Sequence, residues 1–397
     1  MQITNRTPAI AVSAFTESPQ YGYGSRLPFA LSRQEGHYII AEEAMNMNAS
    51  EPYAVLAARH GYENSTRYRR ILEYLMTPRQ AELVALLPMK YQELADKLGM
   101  NVAEVEKELE GLYAKGVVFA RGPENLEEAS FALAVVQFHD ITMCAFDVDI
   151  TRDRKLFELW DDFCVNEWDG DQVASWDKGE QPQGRVVPAY KAILNSPEIL
   201  PCEDMRQIIN SARSIAVTYC TCRRRKEAVG KKCGKSHDMV DIQFNLSAEY
   251  LISRNAGKRI SADEAMALID ECEALGLIHT CENSTRMRPR WGMCNCCTDC
   301  CMIYQPLNRF QVPVTKCIAK SRYEARVDQD LCNGCQDCTE WCPFDAIEMV
   351  KPEGSKKYKA SVDPEKCMGC GICVLKCEPD ALTLHLVRPA EHIPQAQ

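Results

Sequence analysis

Eight cysteines near the C-terminus repeat one spacing twice. Each set follows the pattern C-x2-C-x2-C-x3-C, and the approaches VDQDLCNGC and VDPEKCMGC are so similar that the segment is an internal duplication. The sets are Cys332, Cys335, Cys338 and Cys342, then Cys367, Cys370, Cys373 and Cys377. Tight loops with Gly334 and Gly369 let three thiolates converge on three irons of one cubane, whereas the fourth thiolate must come from elsewhere. The spacing therefore predicts iron–sulfur chemistry, because structural zinc would need paired C-x2-C knuckles.

The duplicated segment resembles bacterial-type ferredoxins with two 4Fe-4S clusters, over about residues 322–388. In that family the last cysteine of each set crosses to the other cluster. The resemblance implies one cluster on Cys332, Cys335, Cys338 and Cys377, and another on Cys367, Cys370, Cys373 and Cys342. Pro343 directly follows its cysteine, as is usual in that family, but Glu378 separates Cys377 from Pro379.

A second group of cysteines lies upstream, in the stretches CTCRRRKEAVGKKC and CNCCTDCC. Its members are Cys220, Cys222, Cys233, Cys294, Cys296, Cys297, Cys300 and Cys301. They could hold one or two further 4Fe-4S clusters or zinc, and we favour iron because the neighbouring electron carrier gives it a use. The combination is similar to cysteine-rich modules beside ferredoxin domains in anaerobic iron–sulfur electron-transfer proteins. That resemblance assigns no individual ligand.

The remaining cysteines stand apart from these motifs and are expected to be small buried side chains: Cys144, Cys164, Cys202, Cys272, Cys281 and Cys317. Between the upstream thiols lie the basic residues Arg223, Arg224, Arg225, Lys226, Lys231, Lys232 and Lys235. Three interpretations stay open for them: they offset the charge of a cluster, they form a solvated loop, or they bind an acidic partner or a phosphate. His237 and His279 flank the thiols, but neither is assigned as a ligand.

Residues 65–138 carry a helix-turn-helix pattern followed by two strand-like runs, which resembles the winged-helix family. The second helix of the pattern carries four glutamates, namely Glu104, Glu106, Glu108 and Glu110. Because an acidic helix repels phosphates, the sequence disfavours nucleic-acid binding and favours a structural or protein-docking role.

The sequence predicts an α+β multidomain protein. We expect an irregular arm at 1–66 with a helix near 38–48, a winged-helix-like domain at 67–140, and a connecting segment at 141–205 that includes a loop at KGEQPQGRVVP. A helical cysteine-rich domain at 206–317 and a two-cluster ferredoxin domain at 318–390 follow. In the cysteine-rich domain, a helical hairpin formed by AEYLISR and SADEAMALIDECEALGLIH is expected to bring the two cysteine groups together.

The composition is that of an ordinary globular protein, with 397 residues, 46% hydrophobic residues and a net charge of -10. Neither a signal-peptide core nor an apolar stretch of membrane-spanning length is visible, so we expect a cytoplasmic protein without a membrane span. Thiols stay reduced in that compartment, which favours metal binding over disulfides.

No nucleotide-binding, acyl-transfer or zincin motif is found, so the leading hypothesis is an electron-transfer subunit rather than a stand-alone enzyme. Its partner would be a larger anaerobic flavin or metal oxidoreductase. One alternative is a redox-sensing winged-helix transcription regulator, and another is an enzyme that reduces a small molecule at an open cluster.

Overall fold

The computed structural model describes residues 51–396, apart from residues 133, 180, 237, 291 and 354–356. The predicted helix near 38–48 and His237 lie outside the described residues.

The described part of the chain contains sixteen α-helices and thirteen β-strands. The helices are α1 (Pro52–Arg59), α2 (Thr66–Leu75), α3 (Pro78–Ala85), α4 (Tyr91–Leu98), α5 (Val102–Ala114), α6 (Val135–Met143), α7 (Arg154–Phe163), α8 (Asp169–Lys178), α9 (Tyr190–Ile193), α10 (Met205–Asn210), α11 (Thr221–Ala228), α12 (Leu246–Ser253), α13 (Ala262–Ala274), α14 (Tyr304–Arg309), α15 (Asp337–Glu340) and α16 (Ile372–Leu375). The strands are β1 (Val118–Phe119), β2 (Ser130–Phe131), β3 (Gly184–Val187), β4 (Ile215–Thr218), β5 (Asp241–Phe244), β6 (Lys258–Arg259), β7 (Ile278–Glu282), β8 (Cys294–Cys296), β9 (Ile318–Ala319), β10 (Tyr323–Val327), β11 (Ile347–Val350), β12 (Lys359–Val362) and β13 (Leu382–Leu386).

The helix-turn-helix pattern corresponds to α4 and α5. Gly99 ends α4 in the left-handed conformation, with φ of 61°, and Asn101 forms a capping box with Glu104 at the start of α5. The antiparallel pair β1 and β2 follows. The order of these elements is that expected of a winged helix, and the family assignment itself stays a prediction.

Helix α1 lies inside the stretch that the sequence analysis assigned to an irregular arm. Its buried residues Tyr53, Leu56 and Ala57 join the same hydrophobic core as α2 to α8. Eight residues are too few for a helical hydrophobic period to stand out from its surroundings, which explains why the sequence analysis missed the helix.

Two sheets build the cysteine-rich region. One has the strand order β8-β7-β3-β9, in which β3 pairs antiparallel with β7 and parallel with β9. The other has the order β5-β4-β6, and all its pairs are antiparallel. Strand β3 falls in the predicted KGEQPQGRVVP loop, and this part of the prediction is wrong. Gly184 is the first residue of this buried strand, and Pro182 and Pro188 lie on either side of it.

The predicted helical hairpin is also corrected by the structure. Helix α12 packs on β4 and β5, whereas α13 packs on α10 and β4. The cysteine groups are instead joined by strands, because a bridge between Ile242 and Met293 places the segment beginning at Cys294 beside β5. The capping box of Ser261 with Glu264 at the start of α13 is present, as expected.

The C-terminal region is built from two antiparallel strand pairs and two short helices. β10 pairs with β13, and β11 pairs with β12. Each of the helices α15 and α16 contains the third cysteine of a set, Cys338 or Cys373. These elements form a hydrophobic core of their own, in which most of the eight cysteines take part. Within the described residues, no helix is long and apolar enough to cross a membrane.

Candidate metal centres

The first cavity of the C-terminal region, which we call cavity A, measures about 330 Å³. Its lining includes four thiols, those of Cys332, Cys335, Cys338 and Cys377. The backbone N–H of Ala360 donates to the Cys332 sulfur at 3.5 Å. Gly334 has φ of 82°, and a Cβ at that position would collide with the carbonyl oxygen of Tyr358. The loop can therefore wrap around the cavity only with glycine there.

The second cavity, cavity B, measures about 340 Å³. Its lining includes the other four thiols, those of Cys342, Cys367, Cys370 and Cys373. The backbone N–H of Ala346 donates to the Cys342 sulfur at 3.3 Å. Gly369, with φ of 68°, again leaves no room for a Cβ, because Ser321 and the carbonyl of Tyr323 lie against it.

Each cavity thus combines three cysteines of one set with the last cysteine of the other set. Burial raises the pKa of Cys338 to about 11 and that of Cys370 to about 12. Thiolates at these positions therefore need a positive counter-charge, which the irons of a cluster supply. Four converging sulfurs and N–H donors aimed at sulfur fit a 4Fe-4S cluster in each cavity. Cys335 is exposed, whereas the other seven of these cysteines are buried or half-buried, so cavity A presents one ligand to the surface.

The upstream thiols separate into two groups with different geometry. In the first group, which we call the thiol triangle, the sulfurs of Cys233, Cys297 and Cys300 all lie within 4.8 Å of one another. The Cys233 and Cys297 sulfurs are 3.9 Å apart. Cys220 is buried in the same cluster of side chains. Contact with Cys300 lowers the pKa of Cys297 to about 5, so the triangle favours a thiolate.

The second group, which we call the thiol chain, consists of Cys222, Cys301, Cys296 and Cys294. The Cys301 and Cys296 sulfurs are 3.8 Å apart. Cys301 also contacts Cys222, and Cys296 contacts Cys294. The backbone N–H of Ile303 donates to the Cys301 sulfur at 3.4 Å, the same type of bond that reaches the cysteines of cavities A and B. Contact with Cys220 and Cys301 lowers the pKa of Cys222 well below its usual value.

Strand β8 determines which thiols belong to which group. Cys294 and Cys296 point to one face, and Asn295 between them points to the other. Asn295 is fully buried; its side-chain oxygen lies 2.6 Å from Nδ1 of His279, and its carbonyl accepts from Arg223 at 3.0 Å. Its side-chain amide donates to the carbonyl of Val240. The sequence analysis missed Asn295, although a lone amide between strand cysteines is a signal for such a positioning residue.

The basic stretch is not a solvated loop along α11, where Arg223, Arg224, Arg225 and Lys226 are all buried. Arg224 donates to two backbone carbonyls and stacks over Tyr219 with 4.2 Å to the ring centre, and Lys226 pairs with Asp161 at 2.9 Å. The other two arginines lie close to thiols. Arg223 lies beside Cys220 and Cys297 and near Asp241. Arg225 lies near Cys164 and Cys222 and is 3.7 Å from Asp161. These two guanidinium groups offset thiolate charge.

The cysteines that were expected to be buried small side chains are all buried and free: Cys144, Cys164, Cys202, Cys272, Cys281 and Cys317. Cys272 is packed in the cluster that holds the thiol triangle, and burial raises its pKa to about 12. His279 contacts Asn295 and Glu273, which makes it a positioning residue for β8.

A fully buried tyrosine, Tyr304, lies between the thiol chain and cavity B. Its hydroxyl bonds to Thr280 at 2.9 Å, and its ring contacts Phe344, two residues after Cys342, with ring centres 5.9 Å apart. Burial raises the pKa of Tyr304 well above its usual value, and the thiols of Cys296, Cys301 and Cys370 add to the shift. One side chain is therefore close to thiols of both centres.

Comparison with known proteins agrees with the C-terminal geometry. Residues 331–381 match the 4Fe-4S dicluster domain, a range that contains all eight thiols of cavities A and B. Over 32 residues the chain is 56% identical to an iron-sulfur subunit of CoB–CoM heterodisulfide reductase from Methanopyrus kandleri, a stretch covering 8% of this chain and 5% of that protein. No solved structure matches the chain. The chain is an iron–sulfur protein with a C-terminal 4Fe-4S dicluster domain.

Proposed function

We propose that this protein relays single electrons through 4Fe-4S clusters to or from a larger oxidoreductase, as an electron-transfer protein or subunit. The observation that carries the proposal is the pair of four-thiol cavities, each closed by one cysteine of the other set. A bound 4Fe-4S cluster supplies a one-electron change of oxidation state with little movement. We assign Cys332, Cys335, Cys338 and Cys377 to the cluster in cavity A, and Cys342, Cys367, Cys370 and Cys373 to the cluster in cavity B.

The protein's own residues set the conditions for that change. The N–H groups of Ala346 and Ala360 stabilise thiolate charge, and burial of Cys367, Cys370 and Cys373 keeps water from cavity B. The exposed Cys335 offers a site at which a partner can approach.

We further propose that the thiol chain holds an additional redox centre. Its contacts run in sequence from Cys222 to Cys301, Cys296 and Cys294, so its four sulfurs form a row in which no three are mutually close, unlike those of the triangle. Arg225 supplies positive charge beside Cys222. Tyr304 lies close to thiols of this group and of cavity B, which supports a relay in which the additional centre is next to the cluster of cavity B.

The partner is proposed to be a reductase complex. The relative that matches over a short stretch is named as an iron-sulfur subunit of heterodisulfide reductase. The N-terminal helices serve as a docking unit in this proposal, since the exposed face of α5 carries Glu104, Glu106 and Glu110 and is unsuited to nucleic acid. Reduced thiols and oxygen-sensitive clusters suit an anaerobic cytoplasm.

The test is an anaerobic reductive titration of the full chain, followed by electron paramagnetic resonance. Two reducible clusters, plus a third centre that disappears in Cys296→Ser, are expected. The matched control is Cys317→Ser, because Cys317 is buried but belongs to neither thiol group. Reduction of fewer than two clusters contradicts the ferredoxin assignment, and a spectrum unchanged by Cys296→Ser contradicts the additional centre.

A further inference from the structure

We propose that Cys220, Cys233, Cys297 and Cys300 bind one zinc ion in a tetrahedral site, separate from the iron–sulfur centres. The inference goes beyond the proposed function, because it gives half of the upstream thiols a structural task rather than a redox task.

The spacing of the sulfurs distinguishes a single ion from a cluster. A tetrahedral ion with metal–sulfur bonds of about 2.3 Å holds its ligand sulfurs about 3.8 Å apart. The Cys233 and Cys297 sulfurs are 3.9 Å apart, and all three sulfurs of the thiol triangle lie within 4.8 Å of one another. A cubane attaches each thiolate to a different iron, so its ligands must lie further apart.

The C-terminal cavities provide an internal comparison. Their eight cysteines all belong to the described residues, yet no three of them bring their sulfurs within 4.8 Å of one another. Those sulfurs surround open cavities of about 330 and 340 Å³ instead. The thiol chain, whose four cysteines are also described, differs in the same respect: the Cys301 and Cys296 sulfurs are 3.8 Å apart, but no three of its sulfurs lie this close to one another.

Cys220 is the proposed fourth ligand. It is 7% exposed and packs in the same cluster of side chains as the triangle, although its thiol contacts Cys222 in this structure. It directly precedes α11, while Cys233 follows the end of that helix, so two of the ligands flank one short helix. The other two come from the turn after β8, and the ion would therefore tie α11 to this turn.

Arg223 gives a second, independent indication of negative charge at the site. Its side chain is buried, and one of its nitrogens donates to Asn295. Among the described residues, the Nε and the other terminal nitrogen have no hydrogen-bond acceptor. The guanidinium lies beside the sulfurs of Cys220 and Cys297 and near the carboxyl group of Asp241. A buried cation in this position is stabilised when those sulfurs are thiolates. Four thiolates on a divalent ion carry a net negative charge, which Arg223 would offset.

The direct test measures zinc, iron and sulfide in the full chain. The protein is produced in cells grown with both metals and is purified without oxygen. One equivalent of zinc is expected beside the iron, and X-ray absorption at the zinc edge should show about four sulfur neighbours at about 2.3 Å. This measurement needs no variant, so a folding defect cannot obscure it. Absence of zinc, or zinc bound through oxygen and nitrogen, overturns the proposal.

Single substitutions then identify the ligands. Cys220→Ser and Cys233→Ser should lose the zinc while the iron content of cavities A and B remains. Cys272→Ser is the matched control, because Cys272 is buried in the same cluster but is not one of the proposed ligands. Zinc loss only in Cys272→Ser and not in Cys220→Ser overturns the assignment of the fourth ligand. Loss of about four irons in Cys233→Ser means that a cubane occupies the site and overturns the zinc proposal. Neither result tests the two C-terminal clusters, because the reductive titration counts those clusters separately.

Discussion

The crossing of Cys342 and Cys377 between the two C-terminal cavities can be tested by counting iron in double variants. If Cys342 shares a cluster with Cys367, then Cys342→Ser combined with Cys367→Ser should lose about four irons, no more than either single variant. Cys342→Ser combined with Cys332→Ser should lose about eight, because the two residues line different cavities. The measurement is iron and acid-labile sulfide per chain. The reverse pattern of losses would show that each set of four cysteines holds its own cluster.

His60 makes the stability of the N-terminal helices depend on pH. Its ring stacks on Phe131 with centroids 4.8 Å apart, and its nitrogens contact the hydroxyl of Tyr68 and the carbonyl of Ala132. Burial lowers the pKa of His60 from 6.5 to about 4. The unfolded chain therefore takes up the proton first, so stability is complete above pH 6.5 and is lost as the pH falls towards 4.

Between pH 7 and 5.5, we expect His60 to lower the free energy of unfolding by about 1.2 kcal/mol. Urea unfolding followed by tryptophan fluorescence measures this change. His60→Gln should be less stable at pH 7 but should lack this part of the pH dependence. If His60→Gln and the unchanged protein lost the same stability between pH 7 and 5.5, the pH dependence would come from other titratable groups.

Residue types and spacing predicted the chemistry of the C-terminal cysteines because a cluster demands several thiolates in tight loops. They could not predict which upstream thiols belong to the thiol triangle and which to the thiol chain. That division depends on which face of β8 each side chain occupies, and on Asn295, His279 and Arg223, whose contacts come from distant parts of the chain. The burial of α11 was equally invisible, since a run of basic residues normally indicates solvent exposure.

A buried ion pair links the segment before α10 to the start of β10. Glu203 and Arg322 are 2.9 Å apart, and their side chains are 0% and 2% exposed. Arg322 also donates to the carbonyls of Glu198, Arg388 and Pro389. Removing one partner leaves the other charge buried without compensation, a loss that typically costs about 3–5 kcal/mol.

We therefore expect Glu203→Gln to lower the free energy of unfolding by several kcal/mol while the clusters still assemble at low temperature. Thermal unfolding, followed by the loss of the iron–sulfur absorbance, measures this change. Glu73→Gln is the matched control, because it breaks an exposed pair on α2 that contributes little. Equal melting temperatures for the two variants would mean that Glu203 does not stabilise the junction.

At the level of elements, helical patterns with caps were predictable, and short buried strands were not. α5 and α13 each begin with a capping box that can be recognised in the sequence. β3 has only four residues, and their burial comes from β7 and β9, which lie far along the chain. A pattern this short cannot separate a central strand from a loop.

On the scale of the whole molecule, the proposed function makes the surface around cavity A the expected approach for a redox partner. The loops that carry its cysteines expose several carboxylates, those of Asp328, Asp330, Asp337, Glu340 and Glu378. Leu331 and Tyr358 are 53% and 56% exposed on the same loops or beside them. An exposed apolar spot within an acidic surround is suited to a partner with a basic docking face.

Charge reversal on these loops should therefore slow electron transfer to a basic acceptor, such as a c-type cytochrome of positive net charge. With Asp330→Lys and Asp337→Lys combined, the second-order rate from the reduced protein should fall several-fold at low ionic strength, because complementary charge mainly accelerates encounter. The difference should disappear at about 1 M salt, where the screening length is about 3 Å. The control combines Glu106→Lys with Glu110→Lys on α5, which changes the net charge equally but away from cavity A. Equal slowing in both variants would attribute the effect to overall charge, whereas slowing confined to the first assigns electron exchange to the surface around Cys335.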